Sequence, residues 1–173
     1  LCLPPLMDMD ESIKELRWAK DHGAVGLLKK GNIEAGKIIV DEYFEPLWKE
    51  ANDLEMPVCM HIGSGIPNTR ENRTDGDTRG PRVPFAHLPE TFTTLVMSKI
   101  PQRYPNIRWG FIEAAAGWIP HELHQIRRLL TRPAPPPGQR SVSLNSTDLP
   151  AGFDTLHDTL QEFNFFVTCL VDE

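Results

Sequence analysis

Pro57-Val58-Cys59-Met60-His61-Ile62-Gly63 is a short apolar run of strand length that ends on a histidine and breaks into Gly63-Ser64-Gly65. Asp41 to Leu54, just before it, has Tyr43/Phe44, Leu47/Trp48 and Ala51 at helical spacing, and Pro57 cannot continue that helix. Working outward, the same alternation repeats. Upstream, a helix from about Asp10 to His22 follows the cap candidates Asp8 and Asp10 and closes at Gly23. Ala24-Val25-Gly26-Leu27-Leu28 then reads as a strand ended by Lys29-Lys30-Gly31. Downstream, a helix opens at Pro89 and reaches about Ile100, and Ile107-Arg108-Trp109-Gly110-Phe111-Ile112 is a strand ended by Glu113. A helix starting between Trp118 and Pro120 buries Ile119, Leu123, Ile126 and Leu130. A further helix (Phe153 to Phe163) and strand (Phe165 to Val171) complete the pattern, and Leu1 to Leu3 reads as the tail of a fifth strand. Long loops are expected at about 64–88 and 131–152.

Near-continuous apolar strands alternating with amphipathic helices specify a parallel sheet covered by helices. Right-handed crossovers leave two architectures, an open doubly wound sheet or a (β/α) barrel. The chain reads as one unit over residues 1–173. No Gly-x-Gly-x-x-Gly or Gly-x-x-x-x-Gly-Lys-Ser/Thr follows any strand, which argues against a nucleotide site.

Composition narrows the partners. The 173 residues carry 18 Lys plus Arg against 24 Asp plus Glu, a net charge of −6, with no basic block. Nucleic-acid and anionic-membrane partners are therefore not expected, because both need clustered positive charge. No apolar run approaches the roughly 20 residues that span a bilayer, and Leu1-Cys2-Leu3-Pro4-Pro5 has neither a basic region nor a cleavage site. Three distant cysteines, Cys2, Cys59 and Cys169, make no disulfide framework, so a reducing compartment, by default the cytoplasm, is expected.

In parallel α/β folds the active site lies at the C-terminal ends of the strands. Those ends are polar here: Lys29-Lys30, His61, Glu113 and Asp172-Glu173. Imidazole and carboxylate converging on one rim suit a divalent metal with an acid/base beside it. Each also has a structural reading. His61 can be a hydrogen-bonded strand end, Glu113 an anion ahead of the next helix, and Lys29 and Lys30 a solvated terminus. His121 and His124 share a helical face, and His121 is the candidate that reaches the site, whereas His124, His22 and His157 read as surface residues. Cys59 reads as a small buried residue. The loop with Arg70, Arg73, Arg79 and Arg82 is either a solvated face or a clamp for a substrate carboxylate, Arg79 being the candidate.

The stretches Pro57–Gly63 and Gly110-Phe111-Ile112-Glu113-Ala114-Ala115-Ala116-Gly117-Trp118-Ile119-Pro120, with Tyr43–Trp48 and Phe166–Cys169, resemble the amidohydrolase-related family that includes aminocarboxymuconate-semialdehyde decarboxylase and the resorcylate decarboxylases. The resemblance implies a (β/α)8 TIM barrel with a divalent metal, zinc by first choice and manganese by second. It implies hydrolysis or decarboxylation of a small carboxylate-bearing molecule; an amide-bearing substrate is a further expectation, and the Arg loop points to an anionic one. His61 matches the family's metal-binding histidine after the fifth strand. Glu113 stands where the decarboxylases have an acid/base histidine after the sixth, a departure that makes hydrolysis the first expectation and decarboxylation the second. Trp118 and His121 join Arg79 as substrate-binding candidates. Lys29 or Lys30 stands where other amidohydrolases carry a carbamylated lysine, which this subfamily lacks. A complete barrel needs about 200 to 250 residues, and the match covers about strands three to seven. A partial barrel is therefore expected, completed by the remaining βα units or by another copy in a homo-oligomer, with a non-catalytic fragment as the remaining alternative.

Overall fold

The computed structural model of the chain describes residues 1–31, 33–61, 87–130 and 156–169. In chain order the elements are helix α1 (Met9–Asp21), strand β1 (Leu27–Lys30), the short strands β2 (Ile33–Glu34) and β3 (Lys37–Ile38), and a 3-10 turn (Glu42–Phe44) running into α2 (Glu45–Asp53). Then follow β4 (Val58–His61), α3 (His87–Ser98), α4 (Ile100–Arg103), β5 (Trp109–Ile112), α5 (Ile119–Leu130), α6 (Leu156–Glu162) and β6 (Phe165–Val167). Strands β1, β4, β5 and β6 form one sheet in that order, and every neighbouring pair is parallel. A doubly wound sheet reverses its strand order at a switch point. Among the described residues this one does not reverse, so right-handed crossovers place the helices on one face, and the architecture is that of a partial (β/α)8 barrel.

Local chemistry sets the element ends. The Asp8 carboxylate caps α1 by accepting from the Glu11 N–H at 3.1 Å. Gly23, at φ +88°, closes the helix, with Gly23 N–H donating to Lys20 O at 3.1 Å and Ala24 N–H to Ala19 O at 2.8 Å. That closure draws Ala24 into the cap, so β1 begins at Leu27, later than the spacing suggests. The sequence also conceals the β2–β3 hairpin, which turns through Ala35 (φ 54°) and Gly36 (φ 70°). Cys2 makes a single parallel bridge to Leu27, so the expected fifth strand is an extension of the β1 edge rather than a full strand.

Register assigns the two faces of the sheet. Leu27, Val58 and Trp109 lie side by side, as do Lys29, Met60 and Phe111, and all six are 0% exposed. This is the helix-covered face, where Trp48 of α2 meets Trp109 edge-on at 5.3 Å and Phe92 of α3 meets Phe111 at 5.6 Å. The other face carries Leu28, Cys59, Gly110 and Phe166 in one row and Lys30, His61 and Ile112 in the next. Leu28, His61, Ile112 and Phe166 are only half-buried, as befits the side a closed barrel turns inward.

Lys29 corrects the expectation of a solvated strand end. It belongs to the helix-facing row, and its Nζ donates to Gly31 O at 2.8 Å and Lys30 O at 3.1 Å. Glu34 Oε2 lies 3.4 Å from Nζ, and the ammonium sits over the Phe44 ring. Burial, only partly offset by Glu34, pulls its pKa down to about 8. Of the expected loops, 64–86 and 131–152 lie outside the described residues, while His87 and Leu88 belong to α3. No helix among the described residues is long and apolar enough to cross a membrane.

Candidate functional site

Strand β4 delivers His61 to the C-terminal rim, beside Ile112 of β5 in the register. The next residue, Glu113, takes a left-handed conformation (φ 57°), which an L side chain adopts at a cost. Its main-chain N–H donates to Thr168 Oγ1 at 2.9 Å, and the Thr168 N–H donates to Phe111 O at 3.0 Å. The turn brings Glu113 Oε2 to 3.1 Å from His61 Nε2, with the two side chains 65% and 34% exposed. The pair that the sequence could only list as two strand ends is thus in direct contact and open to solvent.

An imidazole and a carboxylate at this separation can hold and pass a proton between them and a bound molecule. The separation is also within a few tenths of an ångström of what a shared divalent ion needs, since donors at about 2.0–2.2 Å from a tetrahedral centre lie roughly 3.3–3.6 Å from one another. Imidazole nitrogen and carboxylate oxygen are donors that both zinc and manganese accept. Among the described residues, no group of three or more His, Cys, Asp or Glu side chains joins them, so the donor set found is partial.

The other candidates lie as follows. Trp118 is half-buried; its indole N–H donates to Ala114 O and Ala115 O, both at 2.9 Å, and its ring packs on Phe92 and Phe111. His121, in the first turn of α5, is exposed and exchanges a hydrogen bond with Gln125. Arg79, with Arg70, Arg73 and Arg82, lies outside the described residues, as do Asp172 and Glu173. Cys59 is buried as expected, and burial raises its thiol pKa, which disfavours a nucleophilic thiolate. His124 and His22 are exposed, as expected.

Two site residues escape a reading of the sequence. Thr168 acts through its hydroxyl on a residue far along the chain, with no local signal. His87, buried at the start of α3, approaches the carbonyl of His61; its one local signal is a polar side chain two residues ahead of Pro89 at a helix start.

No family model matches the chain, and no curated protein matches it. Among solved structures it is similar to an amidohydrolase from Mycobacterium avium subsp. paratuberculosis K-10, with a TM-score of 0.65 and 13% identity over 99% of this chain and 42% of that one. It is similar to 2,6-dihydroxybenzoate decarboxylase from Rhizobium, with a TM-score of 0.61 and 22% identity over 96% and 50% of the two chains. A third is a dihydroxybenzoic acid decarboxylase from Polaromonas sp. JS666, solved with bound manganese and the inhibitor 2-nitroresorcinol, with a TM-score of 0.62 and 19% identity over 96% and 48%. The chain spans half or less of the length of these structures, and what it shares with them is the fold.

Proposed function

We propose that this chain carries the central part of a divalent-metal hydrolase site, in a whole protein that hydrolyses a small, anionic carboxylate- or amide-bearing molecule. The observation that carries this reading is the 3.1 Å approach of His61 Nε2 and Glu113 Oε2 at the C-terminal rim of a parallel sheet. His61 would hold the ion, zinc or manganese, and Glu113 would stand beside it as acid/base. Such an ion, when bound, supplies Lewis acidity and makes water a better acid.

The protein's own groups account for the rest. The Glu113 carboxylate, open to solvent, takes a proton from the attacking water and returns it to the leaving group. Thr168 fixes the turn that aims this carboxylate. Lys30, exposed and beside His61 in the register, adds positive charge to the rim. Arg79, Trp118 and His121 remain the candidates for substrate contact. Further βα units or another copy of the chain would complete the barrel, and three free cysteines suit a reducing compartment such as the cytoplasm.

The test uses the natural chain that carries this sequence. His61→Ala should remove the ion, read by elemental analysis, and abolish turnover. Glu113→Gln should keep the ion and lower kcat by about 10²- to 10⁴-fold. Normal metal content and turnover in His61→Ala would overturn the reading. A second reading, decarboxylation on the same site with Glu113 giving its proton to carbon, is favoured by the two decarboxylases among the similar structures. Carbon dioxide released without incorporation of oxygen from labelled water decides for it.

A further inference from the structure

His87 belongs to neither the pair nor the proposed substrate contacts. It opens α3, is 8% exposed, and packs its ring against Gly31, where a Cβ would come within 1.9 Å of His87 Cδ2 and 2.9 Å of Nε2. Its Nε2 lies 3.3 Å from the main-chain oxygen of His61. A carbonyl only accepts, so the hydrogen is on Nε2 and the ring donates. In the neutral ring this leaves Nδ1 a buried acceptor, with no hydrogen-bond partner among the described residues. An apolar ring would fill the same space without stranding a buried nitrogen. What the imidazole adds is one directed hydrogen bond, made to the residue whose side chain meets Glu113. A single ring thus braces the exit of β1, at Gly31, against the end of β4.

We propose that His87 is a positioning residue for His61. Wedged against Gly31, it holds the His61 carbonyl, and through that peptide the direction in which the His61 imidazole leaves the strand. The geometric part stands on the structure alone, whereas its effect on metal affinity rests on the function proposed above.

The experiment compares three variants of the natural chain: His87→Phe keeps a ring and loses the donor, His87→Gln keeps a donor, and Gly31→Ala fills the space the ring occupies. Two readouts are taken, the His61 Nε2 to Glu113 Oε2 distance in crystal structures and the dissociation constant for Mn²⁺. His87→Phe and Gly31→Ala should each separate the pair beyond hydrogen-bond distance and weaken Mn²⁺ binding about 10- to 100-fold, with His87→Gln within about threefold of the parent. The double variant Gly31→Ala/His87→Phe should bind no more weakly than the worse single one, because both act on one contact. Equal losses in His87→Phe and His87→Gln would reduce the residue to packing and overturn the proposal. So would an unchanged pair distance in both His87→Phe and Gly31→Ala, and if His87→Phe does not fold, Gly31→Ala against His87→Gln decides alone. A parent chain that binds no Mn²⁺ sinks the proposed function, while the distances still judge His87.

Discussion

The hydroxyl of Thr168, just past the end of β6, accepts a hydrogen bond of 2.9 Å from the main-chain N–H of Glu113, just past the end of β5. Two neighbouring strand ends are thereby tied together at the point where the chain enters a left-handed turn. The orientation of the carboxylate that meets His61 depends on this tie, because an extended Glu113 would direct its side chain elsewhere.

Thr168→Val removes the acceptor and keeps the shape. In the natural chain it should lower kcat/KM by about 10- to 100-fold, the scale expected when a reacting group moves by an ångström, while Thr168→Ser retains most activity. Thr168 is exposed, so the released N–H finds water and stability should change by less than about 1 kcal/mol. Steady-state kinetics beside urea unfolding separates the two effects, and equal activity in Val and Ser variants would show that the tie is dispensable.

Glu113→Gly should stabilise the fold while removing activity. A left-handed φ of 57° costs an L residue about 1–2 kcal/mol, and glycine's extra chain entropy returns roughly half of that, so a net gain of up to about 1 kcal/mol is expected. Urea unfolding of the two proteins checks the sign. A less stable glycine variant would mean that the carboxylate's contacts outweigh the backbone strain.

Lys29 gives stability a distinctive pH dependence. Its folded pKa, about 8, lies below the ordinary 10.5, so between these values the unfolded lysine holds a proton that the folded one has released. Stability attributable to this group therefore rises with pH through that window and is flat below it, by on the order of 2–3 kcal/mol at most. The unfolding free energy of the parent minus that of Lys29→Met, followed from pH 7 to 10.5, should climb. A flat or falling difference would contradict a desolvated ammonium at this position.

Gly110→Ala tests the inward face. An added Cβ would lie 2.2 Å from Cζ of Phe166, the far end of a half-buried ring that can partly yield, so a loss of about 1 kcal/mol is expected. Phe166→Leu in the same chain should recover most of it. A double variant no more stable than Gly110→Ala itself would place the clash elsewhere.

Much of the fold is legible in the sequence. Asp8 and Gly23 bracket α1 by local hydrogen bonds, and Val58 to Met60 and Trp109 to Phe111 are strands because their apolar runs are too short for helices and are flanked by breakers. His61 and Glu113 stand out because polar groups closing apolar strands are costly without a partner. Lys29 departs from a solvated strand end because parity, not position at a strand end, decides its side. A shift of one residue in register would have put it in water and Lys30 in the core. The hairpin from Ile33 to Ile38 has no signature in the sequence because strands of two residues leave no period to detect.

Local sequence is enough for the order and approximate limits of the main sheet strands and the longer helices and for the polar residues that end those strands, since capping, turns and periodicity act over a few neighbouring residues. Tertiary contacts alone make the sheet wind in one sense, bring His61 against Glu113, support that pair with Thr168 and His87 from distant segments, and bury Lys29 beneath the helices. Those outcomes depend on register and on the packing of helices against one face, which arise from contacts between segments far apart in the chain and leave no trace in any local pattern.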